Sequence, residues 1–87
     1  MITIKSLIWD KWNRDHITKH NVTPEEIEDV CHGRHEVIQS YRKRLQLIGT
    51  TKAGKTICIV LSPEDRNLKP YPPGTYYVIT TFEKEEV

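Results

Sequence analysis

The spacing of apolar positions changes period along the chain. Ile2 to Ile8 is rich in β-branched residues and reads as a strand, stopping at Trp9-Asp10. Asp10 is placed to N-cap a helix running to about His20, and Asn21 ends it. The second helix is marked more fully: Thr23 at the N-cap, Pro24 at N1, Glu26 at N3 to close a capping box, and Val22 positioned to staple to Ile27. Gly33 supplies its stop. Ile27, Val30 and Cys31 fall at i, i+3 and i+4, a single stripe that a sheet covers most economically.

Four strand-like segments follow, about 36–40, 43–50, 56–62 and 76–82, giving the order β-α-α-β-β-β-β. Short connections around Tyr41 and at Lys52-Ala53-Gly54-Lys55 predict antiparallel hairpins, the second with a positive φ at Gly54. The expected fold is α+β, one domain over residues 1–87, with two helices packed on one face of an antiparallel sheet. Strand parity turns Leu45, Leu47, Ile57, Ile59, Leu61, Tyr77 and Ile79 toward the helices. Arg44, Gln46, Ile48, Thr56, Cys58, Val60, Tyr76, Val78, Thr80 and Phe82 then take the other face. The thirteen residues from Pro63 to Thr75 read as an extended connector, with Tyr71 as its one candidate recognition element.

Length and composition limit what such a fold can do. Eighty-seven residues support one small core and no large enclosed active site. The longest apolar run, Ile57 to Leu61, is five residues, which excludes a helical membrane span. Two cysteines cannot build a disulfide framework, and Met1 to Lys5 has no secretory pattern, so a cytoplasmic protein is expected.

Charge is distributed unevenly. Both ends are acidic, whereas residues 34–55 carry Arg34, Arg42, Lys43, Arg44, Lys52 and Lys55 against Glu36 alone, in a chain of net charge +1. That block suits either a solvated strand face or a polyanion-binding surface. Within it, Gly49-Thr50-Thr51-Lys52-Ala53-Gly54-Lys55-Thr56 matches the phosphate-loop text in full. The chemistry needs a helix directly after the loop, and Ile57-Cys58-Ile59-Val60-Leu61 is a strand instead, so the segment is read as a basic hairpin tip. His16 and His20, and Cys31, His32 and His35, have spacings compatible with zinc. No close cysteine pair anchors a site, and no metal is expected. Trp9 is expected to anchor the first helix to the sheet, and Trp12 either packs or faces a partner.

Trp9-Asp10, Asn13, Lys19-His20, Val22 and Glu25-Glu26, then Arg44, Ile48-Gly49, Gly54-Lys55 and Val60, and finally Val78-Ile79-Thr80, occur in the order found in one family. From about Ile8 to Phe82 the chain resembles the BrnT toxins of type II toxin-antitoxin systems, small proteins with a RelE/ParE-like fold that cleave RNA. Thr50 and Phe82 depart from the pattern, each standing where the family usually has Arg, and the family's basic tail is replaced by Glu83-Lys84-Glu85-Glu86-Val87.

The resemblance implies a toxin-like endoribonuclease that cleaves RNA without metal or cofactor on a basic sheet face. It also implies RNA and a cognate antitoxin as partners, with self-association left open. Cleavage needs a base for the 2′-hydroxyl, a cation for charge on the phosphorane and an acid for the departing oxygen. Arg44 is the candidate cation, and His35, Glu36 and Tyr41 are candidate proton-transfer groups. Arg34, Arg42, Lys43, Lys52 and Lys55 are expected to hold the RNA. Arg44, Lys52 and Lys55 are expected to converge on one anion-receptive hollow. The competing reading, motivated by Thr50 and Phe82, is a non-catalytic RNA-binding or protein-interaction module on the same fold.

Overall fold

The computed structural model describes residues 4–41 and 44–84, with residues 39–41 followed through the backbone alone. Its elements run β1 (Ser6–Ile8), α1 (Lys11–Thr18), α2 (Pro24–His32), β2 (His35–Tyr41), β3 (Arg44–Thr50), β4 (Thr56–Ser62) and β5 (Thr75–Glu83), the expected α+β order. Both helices begin where the sequence marks them. Asp10 Oδ1 accepts from the Asn13 N–H at 2.8 Å while Asn13 Oδ1 accepts from the Asp10 N–H at 2.8 Å. Thr23 and Glu26 make the same reciprocal box around α2. Asn21, with φ 61°, turns the chain between the helices.

The strands form one sheet in the order β1-β5-β4-β3-β2. Three neighbouring pairs are antiparallel, and β1 joins the edge of β5 in parallel. Within the described residues β1 pairs from Ser6, opposite Thr75, where β5 begins after a turn at Gly74 (φ 87°), and Ile2 and Thr3 of the expected strand lie outside the described residues. Ile17 from α1 and Ile27, Val30 and Cys31 from α2 are buried against Leu45, Leu47, Ile57, Ile59 and Leu61. Each fully buried Leu or Ile contributes about 1.5–3 kcal/mol relative to exposure, which makes this layer the main source of stability.

The parity of β5 is corrected by the structure. Val60 pairs with Thr80 and Leu61 with Val78, so Ile79 is an extra residue and β5 is bulged there. Val78 is fully buried in the core beside Leu61, and Tyr76 packs against that core. Tyr77, paired with Ser62, is thereby delivered to the face away from the helices, and Ile79 also lines that side. A single inserted residue reverses every side chain on one side of it.

The phosphate-loop text has a structural origin. Gly54 has φ 87° in a turn closed by Thr51 N–H to Lys55 O at 2.8 Å and Gly54 N–H to Thr51 O at 2.9 Å, and β4 follows directly. Gly49 lies where a Cβ would meet Val30 Cγ1 at 2.6 Å, so helix α2 can approach β3 only at a glycine. Among the described residues, no helix is long and apolar enough to cross a membrane.

Candidate functional site

The face of the sheet away from α2 carries two separate hollows. The larger, about 630 Å³, lies between the N-terminus of α1, the adjoining ends of β3, β4 and β5, and the 64–71 loop. Arg44, Ser62 and Tyr77 stand on three neighbouring strands, so Arg44 and Tyr77 are two strand spacings, about 10 Å, apart at Cα. Both line the hollow on either side of Ser62. The Arg44 side chain is exposed and has no hydrogen-bond or ion-pair partner among the described residues.

The loop that reads as a connector builds the opposite wall. Asp65 Oδ1 accepts from the N–H groups of Asn67 and Lys69 at 2.8 and 3.0 Å, Glu64 bridges to Pro70, and Leu68 takes φ 62°. This folded loop presents Glu64, Arg66 and Tyr71 to the hollow.

Protons in the larger hollow are held by tyrosines. Tyr77 Oη donates to both carboxylate oxygens of Asp10, at 3.0 and 3.2 Å. Partial burial and that carboxylate push the Tyr77 phenol up from its ordinary value, and burial with Asp65 and Asp10 does the same to Tyr71. Both therefore stay protonated at neutral pH. Asp10 is held below the usual carboxylate range, first by the Asn13 N–H and also by Tyr77 and Arg66. It is an ionised acceptor and a poor base.

The smaller hollow, about 380 Å³, lies at the other end of the same face and is lined by Arg34, His35, Glu36, Ile48, Gly49, Thr50 and Thr56. His35 pairs with Gly49 and Glu36 with Ile48, whereas Arg44 pairs with Tyr41. His35 Nδ1 lies 3.0 Å from the Val30 carbonyl oxygen and so serves the end of α2. His35 and Glu36 are thus parted from Arg44 by most of the length of β3, whereas the backbone of Tyr41 lies directly opposite it. The Tyr41 side chain, with Arg42 and Lys43, lies outside the described residues.

Arg44, Lys52 and Lys55 do not converge, contrary to expectation. Arg44 opens β3, and both lysines follow its end, about 20 Å away at the rise of an antiparallel strand. Lys52 Nζ lies 3.6 Å from Asp29 on α2. Lys55 Nζ donates to the Asn21 carbonyl oxygen and lies 3.4 Å from Glu26 Oε1, which ties the hairpin tip to the junction between the helices. A backbone carbonyl turned out by the left-handed Asn21 needs a donor, and the lysine supplies it.

The remaining chemically notable groups have structural partners. Trp9 packs against the core and donates Nε1–H to Glu28 at 2.8 Å, as an anchor of helix to sheet. His32 Nε2 lies 2.7 Å from the other Glu28 oxygen. Burial, with Glu28 nearby, pushes the Cys31 thiol up to about 12, and burial raises Cys58, so neither is poised as a thiolate. His16 and His20 stack edge to face at 5.2 Å, and no group of three metal-ligating side chains converges among the described residues.

Tyr77 and Arg66 were not legible as site residues. The bulge hides the outward turn of Tyr77, and only the unusual length of the 63–75 span hints at a loop that builds a wall.

No protein-family model and no curated protein matches this chain. Among solved structures, it is similar to the Brucella abortus ribonuclease toxin BrnT, with a TM-score of 0.66 at 21% sequence identity, over 93% of this chain and 97% of that one. The two-helix, five-stranded architecture is therefore that of a BrnT toxin, for which RelE-like is a looser label, and the resemblance seen in the sequence holds at the level of the fold.

Proposed function

We propose that the chain is a toxin-type endoribonuclease acting on RNA in the cytoplasm and restrained by a cognate antitoxin. The observation that carries this reading is Arg44, a guanidinium without a partner among the described residues, in a hollow that also holds the protonated Tyr77. The likeness of the fold to a ribonuclease toxin supports it.

In this reading the 2′-oxygen attacks the adjacent phosphorus, and Arg44 stabilises the negative charge that gathers on the phosphorane oxygens. Tyr77 turns its single hydroxyl proton from Asp10 to the departing 5′-oxygen and gives it up there, leaving a 2′,3′-cyclic phosphate and a 5′-hydroxyl. Asp10 positions that phenol and, being held ionised by its own hydrogen bonds, does not serve as the base. Glu64, another carboxylate residue lining the same hollow, takes the 2′-proton in this reading. The cycle uses side chains alone and needs no metal.

The test is to incubate the purified chain with RNA in the presence of a chelator and to map the ends produced. Cyclic-phosphate ends that vanish with Arg44→Ala support the proposal, and RNA left whole by the unaltered chain sinks it.

One observation favours a second, non-catalytic reading. Thr50 and Phe82 lie on the far half of the same sheet face, where Thr50 Oγ1 faces Thr56 and Phe82, 41% exposed, pairs with Cys58. An exposed aromatic in place of a cation suits contact with another macromolecule. Salt-sensitive RNA binding with the RNA intact after hours would identify this alternative.

A further inference from the structure

An exposed aromatic stack forms one rim of the larger hollow. Trp12 and His16, four residues apart on α1, stack with centroids 5.1 Å apart and planes 6° from parallel. His16 is pinned in turn by Thr80, whose Oγ1 lies 3.0 Å from Nε2. The indole is therefore held in one orientation although Trp12 is 52% exposed. An apolar ring left in water yet braced from behind suits a ligand that is itself flat.

Across from it stands Arg66, with its guanidinium carbon over the indole at 6.0 Å from the ring centroid. That separation is at the outer limit of a cation–π contact, so the guanidinium covers the indole loosely. A flat ring inserted between them needs two stacking distances, about 7 Å, so it takes its place by displacing the Arg66 side chain, which stands on an exposed loop. Trp12 and Arg66 both line the hollow that contains Arg44 and Tyr77, so a ring held there is joined to whatever phosphate Arg44 holds.

We propose that Trp12 and Arg66 form a clamp for one unpaired base of single-stranded RNA, backed by His16. The clamp rests on the ribonuclease reading and adds to it a requirement for an unstacked nucleotide beside the phosphate. Duplex RNA is excluded because both faces of its bases are already covered. The exposed cation Arg44 in the same hollow, without a partner among the described residues, favours a nucleotide over the aromatic side chain of a protein partner.

The test uses a short single-stranded RNA methylated at every 2′-oxygen, which binds but cannot be cut. It is compared with an abasic strand of the same length and with a hairpin duplex, by fluorescence anisotropy on the whole chain. The base-containing strand is expected to bind roughly 5- to 150-fold more tightly than the abasic one. Trp12→Leu is expected to erase that ratio while leaving affinity for the abasic strand unchanged, and Trp12→Phe to keep most of it. Equal binding of the two strands, preference for the duplex, no binding of any strand, or a ratio that survives Trp12→Leu each overturns the clamp.

The strand comparison on the unaltered chain decides the matter even if a variant misfolds. Base-dependent binding by a chain that leaves unmodified RNA intact sinks the ribonuclease reading and spares the clamp. Cleavage without base-dependent binding does the reverse.

Discussion

The side-chain amide of Asn13 donates to the main-chain carbonyl of Val78, 65 positions later, at 3.1 Å. The same amide reaches the Ile8 carbonyl at 2.9 Å, while its oxygen accepts from the Asp10 N–H. Strand β1 ends at Ile8, and β5 continues to Glu83 without it. Asn13, fully buried, takes over at the point where strand pairing stops and so seats α1 against the sheet. That seat fixes Asp10 and Trp12 at the mouth of the larger hollow.

Asn13→Ala is expected to lower unfolding free energy by about 2–3 kcal/mol, because it strands the buried Val78 carbonyl and leaves the part-buried Ile8 carbonyl and Asp10 N–H without their partner. Asn13→Asp should be as damaging, since a carboxylate cannot donate to either carbonyl. Urea melts of both variants check this, and a loss below about 1 kcal/mol for each would show that the seat is unimportant.

Acid should weaken the fold through Asp10. Its folded pKa lies below the ordinary aspartate value, so its contribution is fully present above about pH 4 and is lost as pH falls through the folded value. Asp10→Asn keeps a capping side chain but removes the titration. Thermal midpoints of the two proteins should therefore draw together below pH 4. A constant gap across that range contradicts the assignment.

Lys55 and Lys52 should behave differently. Lys55→Met removes a charged donor from the Asn21 carbonyl and is expected to cost about 1–2 kcal/mol. Lys52→Ala disturbs one exposed pair with Asp29 and should change stability by less than about 0.5 kcal/mol. Stability curves for the two single variants separate these cases, and equal losses would contradict the latch at Lys55.

Gly49→Ala should destabilise by about 1–3 kcal/mol, because the added methyl enters the space of Val30 Cγ1. Combining it with Val30→Ala opens that space. The double variant should then lose less than the sum of the two single losses, and strict additivity would argue against the contact.

The two hollows predict opposite outcomes for cleavage. Arg44→Ala should lower the rate of RNA cleavage by about 10²–10³-fold, as expected when a group stabilising transition-state charge is removed. His35→Ala and Glu36→Gln, in the other hollow, should leave the rate near that of the unaltered chain. If Glu36→Gln matches Arg44→Ala, the reaction belongs at the far end of the sheet.

Much of the architecture was legible from local signals. Asp10 and Thr23 announce helix starts because an N-cap acts on N–H groups within three residues, and both caps form as read. Gly54 was legible for the same reason, since a positive φ is a property of one residue. Parity carried Leu45, Leu47, Ile57, Ile59 and Leu61 to the core. It failed at Tyr77 because a bulge is set by how two strands match, which neither strand encodes alone.

The sequence by itself determined the element order, both caps, the α+β class and the presence of Arg44 on the outer face, all matters of near neighbours and strand period. Only the tertiary structure decided that Lys52 and Lys55 turn to α2, that His35 and Glu36 line a different hollow from Arg44, and that Tyr77 and Arg66 join it. The reason is geometric. A strand holds the ends of a basic block about 20 Å apart, while a bulge and a folded loop bring distant residues onto one wall.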